Sequence, residues 1–106
     1  MRGEDFTSDS FCADHYDMAT GHRHGHTWHV EIYWPAEPFV DARLLREKLT
    51  SLTGIWDHRV LEEVGIPEST NYGVARAVSA AIPGLSRVRV SRSGKTPCGC
   101  EFFPGA

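Results

Sequence analysis

Alternating apolar and polar positions predict two long strands in the first third of the chain. In the segment from Phe6 to His15, period-two alternation places Phe11, Ala13 and His15 on one face. The run HGHTWHVEIYW continues the alternation as a second strand, and PAEP ends it because proline cannot continue a ladder. One face of this strand carries His24, His26, Trp28, Val30, Ile32 and Trp34. The other face carries Thr27, His29, Glu31 and Tyr33.

The middle of the chain changes to a helical period. Asp41 is a candidate N-cap for a helix that reaches about Leu52, with Leu45, Leu49 and Leu52 as its inward stripe. A second helix begins after either Ser69 or Thr70, both of which are good capping residues. Its predicted inward stripe consists of Val74, Val78, Ala81 and Ile82, and Pro83-Gly84 ends it.

The last quarter of the chain returns to strand patterns. SRVRVS alternates as a third strand, and CGCEFF predicts a short fourth one. The order is therefore strand, strand, helix, helix, strand, strand. Because strands and helices do not alternate, this order predicts an α+β domain whose two helices cover one face of an antiparallel sheet.

Composition predicts one globular domain that spans residues 1–106, with no affinity for nucleic acid or membranes. The chain of 106 residues is 41% hydrophobic and 24% charged, with a net charge of -3. This charge gives no electrostatic basis for binding nucleic acid or an anionic membrane surface. No apolar run approaches the roughly 20 residues of a membrane span, and the N-terminus lacks the apolar core of a signal peptide.

The three cysteines also favour the cytoplasm, which is the localisation that we expect. Their number is odd, and Cys98 and Cys100 lie too close together in sequence to cross-link a fold. A disulfide framework is therefore not expected. Reduced cysteines are the normal state in the cytosol.

Three histidines on two neighbouring strands form a candidate metal site. His24 and His26 leave the same face of the second strand at neighbouring heights, with Gly25 between them. His15 lies on the inward face of the preceding strand. Three neutral imidazoles with a position left for water or a substrate oxygen are the typical ligands of catalytic zinc. The alternative is a group of ordinary polar histidines.

The remaining nearby histidines are not predicted to bind the metal. His29 points to the other face of the strand, and His22 lies in the preceding loop. The prediction of a zinc site therefore depends on His15, His24 and His26 alone.

Five short motifs, in order, resemble the 6-pyruvoyltetrahydropterin synthase / 6-carboxytetrahydropterin synthase family. They are FCADH, HGHTW, FVD, WDHRVL and STNYGVA, and the resemblance spans about residues 6 to 103. It implies the tunnelling fold (T-fold), with strand and helix order ββααββ. It also implies a homo-oligomer, a trimer or hexamer, with active sites between subunits and a small-molecule substrate.

The resemblance also implies roles for individual residues. His15, His24 and His26 match the zinc ligands, and Asp57 and His58 match an acid–base pair. In that family zinc acts as a Lewis acid on side-chain oxygens of a dihydropterin. His58 would carry protons, with its tautomer and basicity set by the Asp57 carboxylate.

One departure from the family pattern concerns the base. The family's catalytic cysteine precedes the first histidine of HGH by four residues, and this chain has Thr20 there. A threonine hydroxyl cannot serve as a thiolate base. Cys12 is not an obvious substitute, because alternation sends it to the face opposite His15. His22, in the same loop, is the best candidate to replace the thiol.

A second departure concerns the substrate anchor. Arg92 occupies the position of the glutamate that binds the pterin, and arginine has five donors but no acceptor. Arg92 suits a carboxylate, phosphate or carbonyl instead. Glu101 on the neighbouring strand is a candidate acceptor, although a solvent-facing role is equally consistent. Thr70 survives from the family's P-T-x-E segment, whose acid is absent here.

Three functional hypotheses remain. The favoured one is a zinc-dependent carbon–oxygen or carbon–carbon lyase of this family with altered substrate or reaction. The second is a zinc enzyme of the same fold that acts on a non-pterin anionic metabolite by elimination, retro-aldol cleavage or isomerisation. The third is a metal-stabilised binding module without catalysis. Fold alone cannot choose among them.

Overall fold

A computed structural model describes residues 3–94 and 97–105 and confirms the predicted element order. A short 3-10 helix between the two α-helices is the one addition in the described chain. The elements are β1 (Glu4–Tyr16), β2 (Arg23–Pro35), α1 (Ala42–Trp56), the 3-10 helix (Leu61–Val64), α2 (Asn71–Ala81), β3 (Arg87–Arg92) and β4 (Cys98–Phe102).

The four strands form one antiparallel sheet in the order β1-β2-β3-β4. His15 of β1 lies opposite His24 of β2, which brings the predicted ligands of the two strands side by side. Trp28 of β2 lies opposite Arg92 of β3, and Arg92 lies opposite Cys98 of β4. Since residues opposite one another in a ladder share a face, these three side chains form one row across the sheet.

The core lies between one face of the sheet and the helices. The α1 helix packs on β1, whereas α2 packs on β3 and β4. The predicted alternation in β2 is confirmed, because its apolar face is buried from Trp28 to Trp34. Among the described residues, the hydrophobic side chains with no exposed surface are Trp28, Val30, Ile32, Leu49, Leu61, Val74, Ala75, Val78, Val88 and Val90.

The structure corrects the predicted end of the first helix. Helix α1 continues to Trp56, one turn beyond Leu52, because Thr53 and Trp56 add two buried residues to its inner face. Leu52 itself is only partly buried against the core. The predicted cap is confirmed, since the Asp41 side chain accepts a hydrogen bond from the backbone N–H of Arg43.

Of the two predicted capping residues, Ser69 and Thr70, the structure has Thr70 as the N-cap of α2. Thr70 is the N-cap and accepts from the backbone N–H of Gly73, whereas Ser69 is buried beneath the helix end. The predicted stripe is wrong at Ala81, which is exposed. Ala75 is buried instead, and the last apolar contact of the helix end is made by Ile82.

Two exclusions made from the sequence can be compared with the fold. Within the described residues, no helix combines the length and apolar character needed to cross a bilayer. All three cysteines, Cys12, Cys98 and Cys100, are free thiols. The cysteines are therefore available for chemistry other than cross-linking.

Two helical glycines should respond in opposite ways to substitution by alanine. A Cβ at Gly73 would lie 1.7 Å from the carbonyl oxygen of Glu68, whereas a Cβ at Gly54 meets nothing within 4 Å. We expect Gly73→Ala to lower the free energy of unfolding by about 2 kcal/mol or more, because backbone must move. Gly54→Ala should raise it by about 0.5–1 kcal/mol. Urea denaturation of both variants measures this, and equal effects would contradict the packing at Gly73.

Candidate metal centre

Three imidazoles converge where β1 and β2 meet the start of α2. The Nε2 atom of His15 lies 3.0 Å from Nε2 of His24 and 3.1 Å from Nε2 of His26. The ligand atoms of these residues all lie within 4.8 Å of one another, the only such group of three in the described chain. His15 is buried, and the other two are half-buried. We call these three residues the histidine triad.

The strand register and a tryptophan together fix the triad. The facing pair His15 and His24 comes from the β1–β2 ladder, and His26 follows two residues along the same face. The buried ring of Trp28 then closes the inner side, edge-on to His15 at 5.4 Å and to His26 at 5.8 Å. Trp28 is itself held by its indole N–H, which donates to the carbonyl of Ala13. Little side-chain freedom remains on the inner side of the triad.

A hydrogen bond on the far side of His15 orients its metal-binding nitrogen. Its Nδ1 lies 2.7 Å from the carbonyl oxygen of Ser69, so Nδ1 carries the proton and donates it. Nε2 therefore presents a lone pair to the centre of the triad. The Ser69 hydroxyl in turn donates to Glu62, which also accepts from the backbone N–H of Tyr16. Such outer contacts are typical of metal-binding histidines.

The surroundings of the triad disfavour the protonated form of His15 and of His26. Burial is the main cause that lowers the pKa of His15 and of His26, and the nearby charge of Arg92 lowers both further. The Arg92 Nη1 atom lies 3.4 Å from Nε2 of His15. On the other side, the Asp17 carboxylate lies 3.9 Å from Nε2 of His24. Backbone N–H groups lower the pKa of Asp17, so this carboxylate stays charged.

The triad fits a zinc ion. Tetrahedral zinc with Zn–N bonds of about 2.0–2.1 Å places ligand nitrogens about 3.3 Å apart, close to the separations from His15. Three lone-pair nitrogens at such distances repel one another unless a cation or a proton lies between them. Because burial disfavours the proton, the arrangement favours a metal, and imidazole ligands suit zinc and related transition ions.

The Asp57–His58 pair lies beside Cys12, on the edge strand β1. The Asp57 carboxylate accepts from the backbone N–H of Cys12, and the backbone N–H of His58 donates to the carbonyl of Cys12. The His58 ring is 82% exposed, with Nε2 at 3.5 Å from the Asp57 carboxylate. Among the described residues, the polar contacts of His58 are with Asp57 and Cys12, and none joins it to the triad of the same chain.

Thr20 and His22 lie in the exposed turn between β1 and β2. The Thr20 hydroxyl accepts from the backbone N–H of His22, and the backbone N–H of Thr20 donates to Asp17. The turn therefore places the Asp17 carboxylate near the His24 ring. No described contact joins the side chain of His22 to the triad.

Of the predicted substrate residues, the structure brings only Arg92 to the triad. The Thr70 hydroxyl is engaged as the cap of α2. Glu101 lies on the exposed face of β4, where its carboxylate accepts from Arg87 at 2.7 Å. Arg92 lies against the triad, with its Nη1 3.4 Å from Nε2 of His15 and its guanidinium 5.1 Å from the ring centre of Trp28.

Three polar side chains beside the triad were not identified from the sequence. Asp17 approaches His24, and Asn71 and Cys98 meet each other next to Arg92. Period-two alternation in the fourth strand indicates the face on which Cys98 lies. Its position opposite Arg92, however, depends on the strand register, which the sequence leaves open. Asn71 follows the cap of α2, a position usually explained by helix initiation alone.

Comparison with known proteins supports the fold. No protein-family model and no curated protein matches the sequence. Among solved structures, the chain is similar to the 6-pyruvoyl tetrahydropterin synthase of Caenorhabditis elegans, with a TM-score of 0.65 and 18% sequence identity over 96% of each chain. The chain has the tunnelling fold. At this identity the likeness establishes the architecture, and the chemistry has to be argued from the site.

Removal of one triad imidazole should remove the metal. We expect His24→Ala to lose zinc, because two imidazoles bind it far more weakly than three. His29→Ala is the matched control: His29 lies on the same strand but faces away and contacts Ser10 instead. Elemental analysis of both purified variants gives the metal content. Full zinc retention in His24→Ala would contradict the triad as a metal site.

The stability of the metal-free protein should decrease in acid. The pKa of His15 in the folded protein is below its ordinary value of 6.5. In acid the unfolded chain therefore binds more protons than the folded protein does. The free energy of unfolding is therefore highest above about pH 6.5 and falls as the pH decreases toward the folded pKa. Urea denaturation at about pH 7.5 and about pH 5.5 measures this. His15→Gln, which cannot titrate, should show a smaller decrease, and an equal one would contradict this cause.

Proposed function

We propose that the protein is a zinc-dependent enzyme of the tetrahydropterin-synthase type, a lyase that moves protons on a small oxygenated substrate. The observation that carries this proposal is the convergence of three oriented imidazoles at 3.0 and 3.1 Å within a tunnelling fold. The solved structure of similar fold is named a 6-pyruvoyl tetrahydropterin synthase.

The residues have separate tasks in this proposal. His15, His24 and His26 would hold the zinc, which when bound supplies a Lewis acid for substrate oxygens. His58 is the proposed proton carrier, because its exposed ring is free to meet a substrate and pairs with the Asp57 carboxylate. The two hydrogen bonds to the backbone of Cys12 fix the orientation of this pair on the edge of β1.

The position of His58 beside the edge strand β1 supports an active site formed between subunits. At the edge of β1 the exposed ring of His58 can meet a neighbouring copy of the chain. Both β1 and β4 are edge strands, and subunit association would cover them. We therefore propose a cyclic homo-oligomer, a trimer or a hexamer, that acts in the cytoplasm.

A specific observation favours a substrate that differs from the usual pterin. Arg92 presents only donors at the triad, and Glu101 is engaged by Arg87 rather than free to accept from a pterin. The second candidate is therefore an enzyme for an anionic metabolite, with the anion bound by Arg92. Elimination, retro-aldol cleavage and isomerisation all suit a polarised oxygen next to a proton carrier.

Incubation of the zinc-loaded protein with 7,8-dihydroneopterin triphosphate, followed by mass spectrometry, tests the proposal. Conversion to a 6-substituted pterin is the expected result for a pterin enzyme. His58→Ala should then lower kcat by about 10²- to 10⁴-fold with the zinc content unchanged, since a proton carrier but no metal ligand is lost. Undiminished turnover in that variant would rule out His58.

A folded, zinc-occupied protein that leaves the pterin unchanged would favour the anionic metabolite. Thr20→Cys sharpens this choice, because it restores the thiol at the family position. Synthase activity gained by this variant indicates a pocket that accepts a pterin. No gain indicates a different substrate, and small carboxylates and phosphates are then the compounds to assay.

A further inference from the structure

Cys98 lies on the same face of the sheet as the triad. The ladder places Trp28, Arg92 and Cys98 opposite one another on β2, β3 and β4, in one row. Trp28 at one end of the row contacts His15 and His26, and Arg92 in the middle lies 3.4 Å from His15. Cys98 at the other end is therefore separated from the triad by one side chain.

Two donors point at the sulfur of Cys98. The Asn71 side-chain Nδ2 donates to it at 3.3 Å, and the Arg92 Nη2 donates at the same distance. Asn71 is the first residue of α2, so the start of the helix positions this donor. The hydrogen bond from Asn71, followed by that from Arg92, lowers the pKa of Cys98. Donors and positive charge of this kind stabilise the thiolate over the thiol.

The sulfur and the triad share an open cavity. A space of about 290 Å³ is lined by two triad members, His24 and His26, together with Asp17, Arg92 and Cys98. Cys98 is exposed, so a bound small molecule can reach it. The other two thiols do not line this cavity: Cys12 borders a depression beside His58, and Cys100 lies two residues further along β4, on the same face as Cys98 but opposite Val90.

Two polar atoms without hydrogen-bond partners belong to the residues that contact this sulfur. Among the described residues, the buried Asn71 Oδ1 and Arg92 Nε lack hydrogen-bond partners, and both belong to residues that contact Cys98. Asn71 is 8% exposed, so its side-chain amide lies in the interior, where its Oδ1 has no hydrogen-bond partner. Buried polar atoms normally have a hydrogen-bond partner. Two neighbouring buried atoms without one therefore indicate a ligand that hydrogen-bonds to both.

We propose that Cys98 is the activated thiolate of this site and exchanges a proton with a substrate held at the histidine triad. This inference rests on the proposed function. In the step, the thiolate takes the proton of a substrate C–H bond adjacent to an oxygenated carbon, and an S–H bond forms. The electron pair of the broken C–H bond stays on the substrate. Return of the proton to a neighbouring carbon regenerates the thiolate, so no further reactant is consumed.

The assignment explains how the chain functions without a thiol at position 20. Thr20 is exposed and its hydroxyl is engaged with the backbone of His22. Cys98 reaches the same metal site from β4, on the far side of Arg92. The positive charges of the Arg92 guanidinium and a bound metal ion would repel each other. A thiolate at Cys98 beside Arg92 reduces this repulsion.

Alkylation tests the thiolate without any substrate. The folded protein, metal-free and zinc-loaded, is treated with iodoacetamide between about pH 5 and about pH 9, and mass spectrometry of peptides gives the rate at each cysteine. We expect Cys98 to react about tenfold faster than Cys100 near neutral pH, with a lower midpoint. Arg92→Gln should move the Cys98 midpoint upward, because one donor and its charge are lost. Equal rates and midpoints at Cys98 and Cys100 overturn the assignment.

Turnover tests the proton transfer, with Cys100→Ser as the matched control on the same strand. Cys98→Ser should lower kcat by about 10²-fold or more and leave zinc content unchanged, whereas Cys100→Ser keeps both. A Cys98→Ser enzyme with full activity overturns the proposal. If the native protein converts no pterin, that result counts against the proposed pterin substrate alone, and the alkylation rates still decide the state of Cys98.

Discussion

The register of the β1–β2 ladder is the constraint on which the rest of the site depends. It places His15 opposite His24 and leaves His26 one step further on the same face. A shift of one residue would turn His24 and His26 to the outer face and bury Gly25 and Thr27 instead. The apolar residues further along β2 prevent that shift, because the same slip would expose Trp28 and the residues beyond it. The core therefore maintains the geometry of the site.

The segment before α2 connects the triad to the helical layer. The carbonyl of Ser69 fixes the ring of His15, and Asn71, two residues later, contacts the sulfur of Cys98. One short segment thus orients groups on β1 and on β4, at opposite edges of the sheet. The cap at Thr70 holds that segment in place through the N–H of Gly73. Its role here is to position neighbours rather than to touch a substrate.

The charges around the triad explain why the site differs from a simple cluster of histidines. Arg92 sits against His15, with Asp17 beside His24 and the sulfur of Cys98 as a further candidate anion. A divalent cation next to a guanidinium requires nearby negative charge, from these groups or from a substrate. The arrangement is consistent with an anionic ligand as part of the working state.

The sequence by itself determined the element order, the buried face of β2 and the identity of the triad, since these follow from local periodicity. It did not determine how far α1 extends, because the burial of Trp56 depends on packing across the domain. Nor did it place Asp57–His58 on the edge of β1, or Asn71 and Cys98 beside Arg92. Those groups are distant in sequence, and only strand register and helix docking bring them together. Local patterns fix which face a side chain occupies, whereas tertiary structure decides which side chain it meets.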